Sequence, residues 1–460
     1  MITLLSTIAY QTQEIFSRLR AWLPARYAAM QCTRRSDVCR AGLVFATCAA
    51  LAACGGSGSA TATEPPGELT AVLDRMDAPR LVPSRPAAAV YASEPAARRQ
   101  ITALDEPLRV QIFQAVRDSA AQRGITVLPD ERLDAVMDQL AKTLRPNEQS
   151  RSTAVEFLLS YHGVIEPYPV IHGVHARAAD DREIVQLLLE SIAWPTDDDL
   201  VTLGIGIDRA TSENRILVAV QTKLLDLAPV QRVWPNGAEI DVSGRLLGVF
   251  REPHFYVTFP SGEAQRYPIL VRQQEFLTRI RCDRGPGIYQ LEVFGNNGLG
   301  PKVLANFPVY CGVDPPAAYE GAAGYVPPRV APNEAETQLL DLVNQARRHA
   351  GLAEVPADPR LADVARAHSR DMHENNFVGH ISPTTGGPMD RVLTAGLSFA
   401  RVLENVGRDA SAEEVHAGLM RSPGHRSAIL DAGVTHVGIG VVVVAPEDGP
   451  VGLIATELFR

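Results

Sequence analysis

Positive charge is in short supply along these 460 residues: 44 Lys and Arg stand against 53 Asp and Glu, a formal net charge of -9. No basic stripe interleaved with aromatics occurs, so the electrostatic footprint of a nucleic-acid binder is missing. Long apolar runs are missing as well. The best candidate, Ala41 to Ala53, is thirteen residues, short of the ~20 that a spanning helix needs. There is no HExxH helix of the zinc-protease kind. Cysteine is scarce after residue 54, where only Cys282 and Cys311 remain of the six. What is present has the composition of a soluble globular protein, and the length exceeds one ordinary core, which argues for two to four domains.

Arg34, Arg35 and Arg40 precede the apolar run, which ends in Leu51-Ala52-Ala53-Cys54-Gly55. This arrangement resembles a bacterial lipoprotein signal, in which Cys54 is lipidated and becomes the mature N-terminus. Residues 1–53 then form the signal region, with Met30 an alternative start, and the chain is held at a membrane of the bacterial cell envelope by its lipid. Cys32, Cys39 and Cys48 leave with the signal. The remaining even pair reads as a disulfide between Cys282 and Cys311 in an exported protein, with no cysteine left for catalysis.

Composition divides the rest. Residues 54–107, rich in Ala, Pro and Ser, read as a tether and loosely packed lead-in. Residues 108–227 alternate helical spacing, as in AVRDSAAQRGITVLPDERLDAVMDQLAKTL, with strands such as LGIGIDR and RILVAVQTKL, which predicts an α/β domain. Residues 228–312 carry short alternating runs (HFYVTFP, YPILVRQ, GIYQLEVFG) parted by PSG and GNNGLG, the pattern of an antiparallel β-sandwich. There Gly287-Ile288-Tyr289 resembles the tyrosine corner of immunoglobulin-like domains. Residues 313–332 form a Pro/Ala/Gly-rich linker, and 333–460 a last domain.

That last domain holds three islands: GHISP at Gly379 to Pro383, LENV at Leu403 to Val406 and SPGHRSAIL at Ser422 to Leu430. Ser422 suits a helix N-cap and Pro423 the first helical position. His425 then lies in the first turn, where the helix dipole disfavours imidazolium. Pro383 keeps His380 in a loop, and Glu404 follows an apolar pair that points a carboxylate inward.

Together with LVNQARRHAGL, AHSRDM, HVGIGV and ATELF, these islands resemble the CAP superfamily, or SCP domain, of cysteine-rich secretory, antigen 5 and pathogenesis-related proteins. The resemblance covers roughly 332–460. It implies an α-β-α sandwich and a cleft lined by two histidines and two acids, of which His380, His425 and Glu404 have matching positions. The second acid has no clear counterpart, because Ser422 stands about where the family often has glutamate. Leu403 also replaces the usual glycine. The segment AVRDSAAQRGITVLPDERLDAVMDQLA parallels LVNQARRHAGLAEVPADPRLADVARAHS, and LGIGI parallels VGIGV. Residues 108–227 therefore read either as a divergent CAP-like copy or as a convergent α/β arrangement. The expected fold class is α+β multidomain.

The ligand cleft is expected to comprise His380, Ser382, Glu404, Asn405, Ser422 and His425. The set His380, Glu404 and His425 is compatible with a divalent ion such as zinc. Two functions of different class follow: an envelope-anchored binding or interaction module for a lipid, glycan, peptide or partner protein, or a metal-dependent hydrolase of an envelope polymer or of proteins. A His-Glu-His cluster that only braces the sandwich is the third reading. Ser382 serves as a nucleophile only with an imidazole in reach. Elsewhere, His368 reads as a core histidine and His373 and His416 as solvent-facing. His162, His172 and His175 read as surface or loop residues, Asp390-Arg391 as an ion pair or cap, and Glu457 as exposed or behind the site.

Overall fold

The computed structural model describes residues 80–93, 106–145, 147–176, 180–192, 194, 200–209, 214–297, 300–375, 377–444 and 451–460. The signal region, Cys54 and its lipid box, and most of the expected tether lie outside the described residues. No helix among the described residues is long and apolar enough to cross a membrane.

The first unit runs α1 (Pro107–Ala121), β1 (Thr126–Pro129), α2 (Glu131–Thr143), α3 (Ser152–Tyr161), β2 (Val170–Ala176), α4 (Asp181–Ser191), β3 (Leu200–Asp208) and β4 (Asn214–Thr222). Asp130 caps α2 through the Arg132 N–H, the interaction its side chain favours at that position. The sheet order is β1-β3-β4-β2, with β1 parallel to β3 and the other pairs antiparallel. Ile112, Ile184 and Leu188 of α1 and α4 pack on one face with Leu203 and Val218. Leu133, Met137 and Leu158 of α2 and α3 cover the other with Leu217 and Ala219. The strands are thus buried on both sides, which explains their near-continuous apolar runs.

The middle unit is a β-sandwich of β5 (Leu225–Leu227), β6 (Val233–Trp234), β7 (Glu239–Leu246), β8 (Arg251–Thr258), β9 (Ala264–Tyr267), β10 (Leu270–Arg272), β11 (Glu275–Arg281), β12 (Gly287–Asn296) and β13 (Pro301–Cys311). One sheet has the order β6-β13-β12-β8-β9 and the other β10-β11-β7-β5. Phe255, Val257, Leu291 and Phe307 from the first meet Ile240, Val242, Phe276 and Ile280 from the second in one core. The Tyr289 hydroxyl donates to the Gly285 carbonyl at 3.0 Å and accepts the Arg284 N–H at 2.8 Å, which is the expected tyrosine corner. Cys282, just after β11, is bonded to Cys311 at the end of β13, Cα to Cα 5.6 Å, so the bridge ties the two sheets together at strand ends.

The last unit is α5 (Pro332–His349), α6 (Pro359–Glu374), α7 (Pro388–Thr394), β14 (Leu403–Asp409), α8 (Ala412–Arg421), α9 (Pro423–Ile429), β15 (Val437–Val444) and β16 (Gly452–Phe459), with sheet order β14-β16-β15. Leu339 and Val343 of α5, Val415 of α8 and Ile429 of α9 pack on one face. Leu361 and Ala365 of α6 and Val392 of α7 pack on the other against Leu458. This is the expected three-layer α-β-α arrangement.

The first and last units share their topology. Ala357 pairs in parallel with Val437 beside β15, so 357, α6, β14, α8, β15 and β16 follow one another as β1, α2, β2, α4, β3 and β4 do. The Asp130 N–H donates to Leu203 O and the Asp358 N–H to Val437 O. In each case the acceptor precedes a Gly-x-Gly on which the helix backbone lies directly. A Cβ at Gly204 or Gly206 would collide with Leu133 and Met137 of α2, and one at Gly438 or Gly440 with Leu361 and Ala365 of α6. That contact is why LGIGI and VGIGV carry glycine where a strand would otherwise favour a β-branched residue.

Two expectations about the connections need correction. Over residues 80–93 the lead-in is pinned, with Arg80–Leu81 paired to Tyr319–Glu320, Val90–Tyr91 paired to Val230–Gln231, and Tyr91 fully buried in the sandwich core. The 313–332 linker is docked likewise, since Gly324–Tyr325 pairs with Gln149–Ser150. A composition rich in Pro and Ala hid both, because two-residue ladders leave no periodicity to read.

Candidate functional site

Strand β14 is the free edge of its sheet, and antiparallel register fixes where its side chains go. Glu404 lies opposite Leu458 and Asn405 opposite Glu457. Because faces alternate, Glu404 shares the α6–α7 face with Leu458, whereas Asn405 and Glu457 point to the α8–α9 face.

Glu404 is saturated there. Its Oε1 lies 3.0 Å from His380 Nδ1, and its Oε2 accepts a 2.5 Å bond from Arg391 Nη2. A carboxylate only accepts, so His380 Nδ1 is the donor to Glu404. Arg391 also donates to the His380 and Gly386 carbonyls, so one buried guanidinium fastens the GHISP loop to the strand. Asp390 caps α7 through the Gly387 N–H. The expected Asp390-Arg391 pair is thus divided into a cap and a separate ion pair with Glu404. That second role was not read from the sequence, because nothing local distinguishes a buried arginine from an exposed one.

The loop is held from beneath. His368, fully buried, places Nε2 3.0 Å from the Gly379 carbonyl, in keeping with a core histidine. Ser382 is buried and donates to Asp371 Oδ2 at 2.5 Å while accepting the Thr384 and Thr385 N–H groups. Thr384 and Asn375 complete the ring of donors around Asp371, and these hydrogen bonds hold its carboxyl below the usual range although burial alone would raise it. Ser382 therefore shapes the loop. Among the described residues its hydroxyl has no imidazole partner, which is what a nucleophilic role requires.

His425, on α9, comes round the free edge of β14 to within 6.1 Å of His380, centroid to centroid, with the rings tilted by 36°. Burial, with a smaller push from His380, lowers its pKa to about 3. The neutral ring expected from the helix terminus is found, but desolvation is the main cause. Ser422 stands at the N-cap position without capping; its hydroxyl donates instead to Glu292 Oε2 of β12 at 3.2 Å. Asn405 bonds the His425 carbonyl at 3.2 Å and Glu457 Oε2 at 3.0 Å. Glu457 is fully buried, not exposed, and burial raises it to about 7.

The two imidazoles and the carboxylate do meet, but not as a metal cage. Among the described residues no group of three or more His, Cys, Asp or Glu side chains is spaced to hold an ion. Both Glu404 oxygens are committed to protein donors, one of them an arginine, so the set His380, Glu404 and His425 does not fit a divalent ion as it stands.

His425, but neither His380 nor Glu404, lines a cavity of about 1550 Å³ bounded by α3, β2, β12, β13, β14 and α8. The other histidines fall elsewhere. His373 is exposed as expected, whereas His416 is half-buried and pushed down to about 4 by burial. His162 is buried beside Tyr161 and His172 is half-buried on β2, contrary to surface or loop positions, whereas His175 on the same strand is exposed as expected. The shared register explains why the first unit has no such site: Gly204 pairs with Ala219 and Ala219 with Ile171, just as Gly438 pairs with Leu458 and Leu458 with Glu404. Ile171 occupies the place of the carboxylate.

Residues 340–454 match the family described as "CAP: Cysteine-rich secretory protein family". The C-terminal domain of this chain is a CAP domain, and His380, Arg391, Glu404 and His425 all lie within the matched segment, whereas Glu292 lies outside it. Over 108 residues the chain is 38% identical to "Uncharacterized protein YkwD" of Bacillus subtilis (strain 168), covering 23% of this chain and 42% of that protein. Over 107 residues it is 38% identical to "Uncharacterized membrane protein YlbC" of the same organism, covering 23% and 31%. The chain thus spans less than half the length of these relatives. Among solved structures it is similar to an extracellular protein containing a SCP domain from Bacillus anthracis str. Ames, at 19% identity and a TM-score of 0.25 over 48% of this chain and 81% of that one. It is also similar to an outer surface protein from Borrelia burgdorferi, at 19% identity and a TM-score of 0.26 over 29% and 98%.

Proposed function

We propose that this chain is an envelope-anchored, extracytoplasmic binding protein whose CAP domain takes a lipid, glycan, peptide or partner protein into the cavity beside His425. The carrying observation is His425 itself, a neutral, half-buried imidazole in the wall of a cavity of about 1550 Å³ bounded by all three units. Such concave sites with a few placed polar groups are where ligands bind. A chemical step finds less support. Both hydroxyls expected at the cleft are committed, Ser382 to Asp371 and Ser422 to Glu292, and the carboxylate is neutralised by Arg391. The anchor rests on the Leu51-Ala52-Ala53-Cys54 resemblance alone.

Binding of the purified chain to four probes, namely phospholipid vesicles, a neutral oligosaccharide, a short peptide and solubilised envelope proteins, tests this reading. At least one should bind, and His425→Ala should weaken it about tenfold or more. If no class binds, or the variant binds as well as the parent, the reading fails. Stoichiometric zinc that survives dialysis and is lost in His425→Ala would replace it with metal-dependent hydrolysis.

A further inference from the structure

The cavity walls are unevenly charged. Six carboxyl side chains line them, from Glu148, Glu156, Glu166, Glu292, Asp409 and Glu414, against three guanidinium groups. Glu156 is paired with Arg421 and Glu414 with Arg151. Among the described residues, Glu166, Glu292 and Asp409 have no ion-pair contact.

Two of these three are deeply buried. Glu292 is fully buried, its Oε1 accepting from Asn306 Nδ2 at 3.3 Å and its Oε2 from Ser422 Oγ and the Gly424 N–H. The backbone N–H of the same Asn306 donates to the carbonyl of Ile165, the residue before Glu166, at 2.8 Å. Glu166 is 3% exposed, and among the described residues its Oε1 has no hydrogen-bond partner. A buried carboxyl oxygen left without a hydrogen bond is costly unless something supplies the missing partner. Around the same cavity, Tyr168, Val170, Val326 and Val378 are large apolar side chains left 41–67% exposed. Exposed apolar groups around one cavity mark an interaction site.

We infer that the cavity is a docking groove for an extended basic peptide, whose lysine or arginine side chains meet Glu166, Glu292 and Asp409 while its apolar side chains cover the rim. The inference rests on the binding-protein reading above and names the ligand class for that site. Charge selects the occupant. Burial raises Glu292 to about 8, Glu166 to about 7 and Asp409 to about 6, against the pull of Arg132 and Lys223 on Glu166 and of Arg421 on Asp409, and an entering cation provides the counter-charge that Glu292 lacks. A neutral glycan leaves that need unmet, and an anionic lipid opposes it. Size agrees, since the cavity exceeds the roughly 300–1,000 Å³ typical of small-molecule pockets.

The test measures fluorescence anisotropy of the full chain with labelled peptides in which leucine alternates with lysine, with serine or with glutamate, alongside a neutral oligosaccharide and phosphatidylglycerol vesicles. The lysine peptide should bind about tenfold or more tightly than the serine one. Glu166→Gln with Glu292→Gln, and separately Asp409→Asn, should each lower that affinity severalfold while the circular-dichroism spectrum of the folded chain is kept. Equal affinity for the serine peptide, or full lysine-peptide affinity in both folded variants, overturns the inference. Oligosaccharide or vesicle binding that His425→Ala abolishes, without lysine-peptide binding, removes the peptide class and leaves the binding-protein reading standing.

Discussion

Arg391 carries more of the site than any residue named from the motifs. Its side chain and that of Glu404 are 5% and 2% exposed, so deleting the guanidinium strands a buried carboxylate. Removing one member of such a pair costs about 3–5 kcal/mol. Arg391→Ala should lower unfolding free energy by about that much in urea titrations, and a loss under about 1 kcal/mol would show that Glu404 finds another partner. His425 and Glu292 set opposite pH limits. His425 is about 3 folded and 6.5 free, so the unfolded chain binds the extra proton, and its contribution is present above about 6.5 and lost as pH falls toward 3. Glu292 is about 8 folded and 4.5 free. The folded chain holds that proton, and the contribution present below about 4.5 is lost as pH rises through 8. Glu292→Gln should therefore flatten the alkaline fall in melting temperature and leave the acid limb alone; parallel curves would refute this.

The elements were legible to different degrees, for reasons that concern how each is held. Helix α2 could be read from apolar spacing, because that signal is local; the structure adds Asp130 and Asp358 as the caps of α2 and α6. The pairing of VGIGV with α6 could be suspected from its likeness to LGIGI. The reason for the glycines, however, is a backbone contact across elements: a Cβ on Gly440 would run into the Arg366 N–H and the Ala365 carbonyl carbon. Backbone cannot swing aside as a side-chain tip can. Gly440→Ala and Gly206→Ala should each cost about 3 kcal/mol, the upper range for overpacking. Gly418→Ala is the control, since in α8 the new Cβ meets only Arg421 Nη2 at 3.9 Å, and helix propensity favours alanine. A loss at Gly418 equal to that at Gly440 would remove the packing explanation.

At the scale of the molecule, the units are joined by polar contacts between distant segments. Glu414 of α8 accepts from Arg151 and from the Ser152 N–H of α3. Arg426 of α9 donates to the Gly262 carbonyl of the sandwich at 3.0 Å. The sandwich that presents Glu292 is itself closed by Cys282–Cys311, across 29 residues of chain. Reducing that bridge should cost about 2–5 kcal/mol, seen as a lower melting temperature in dithiothreitol. The Cys282→Ser/Cys311→Ser variant should match the reduced parent and be indifferent to reductant. An unchanged melting temperature would mean that the sheets need no tie.

By itself the amino-acid order determined the α-β-α layering of the last segment, the tyrosine corner, the cysteine pair and the convergence of His380, Glu404 and His425. Each of these follows from spacing, capping or an ordered motif within a short stretch. Only the tertiary structure decided that Arg391 neutralises Glu404, that Ser382 and Ser422 are spoken for, and that Glu292 stands behind Ser422. Those contacts join residues from 11 to 130 positions apart in which each partner is an ordinary polar residue. Burial chooses between such partners, and burial is a property of the assembled fold.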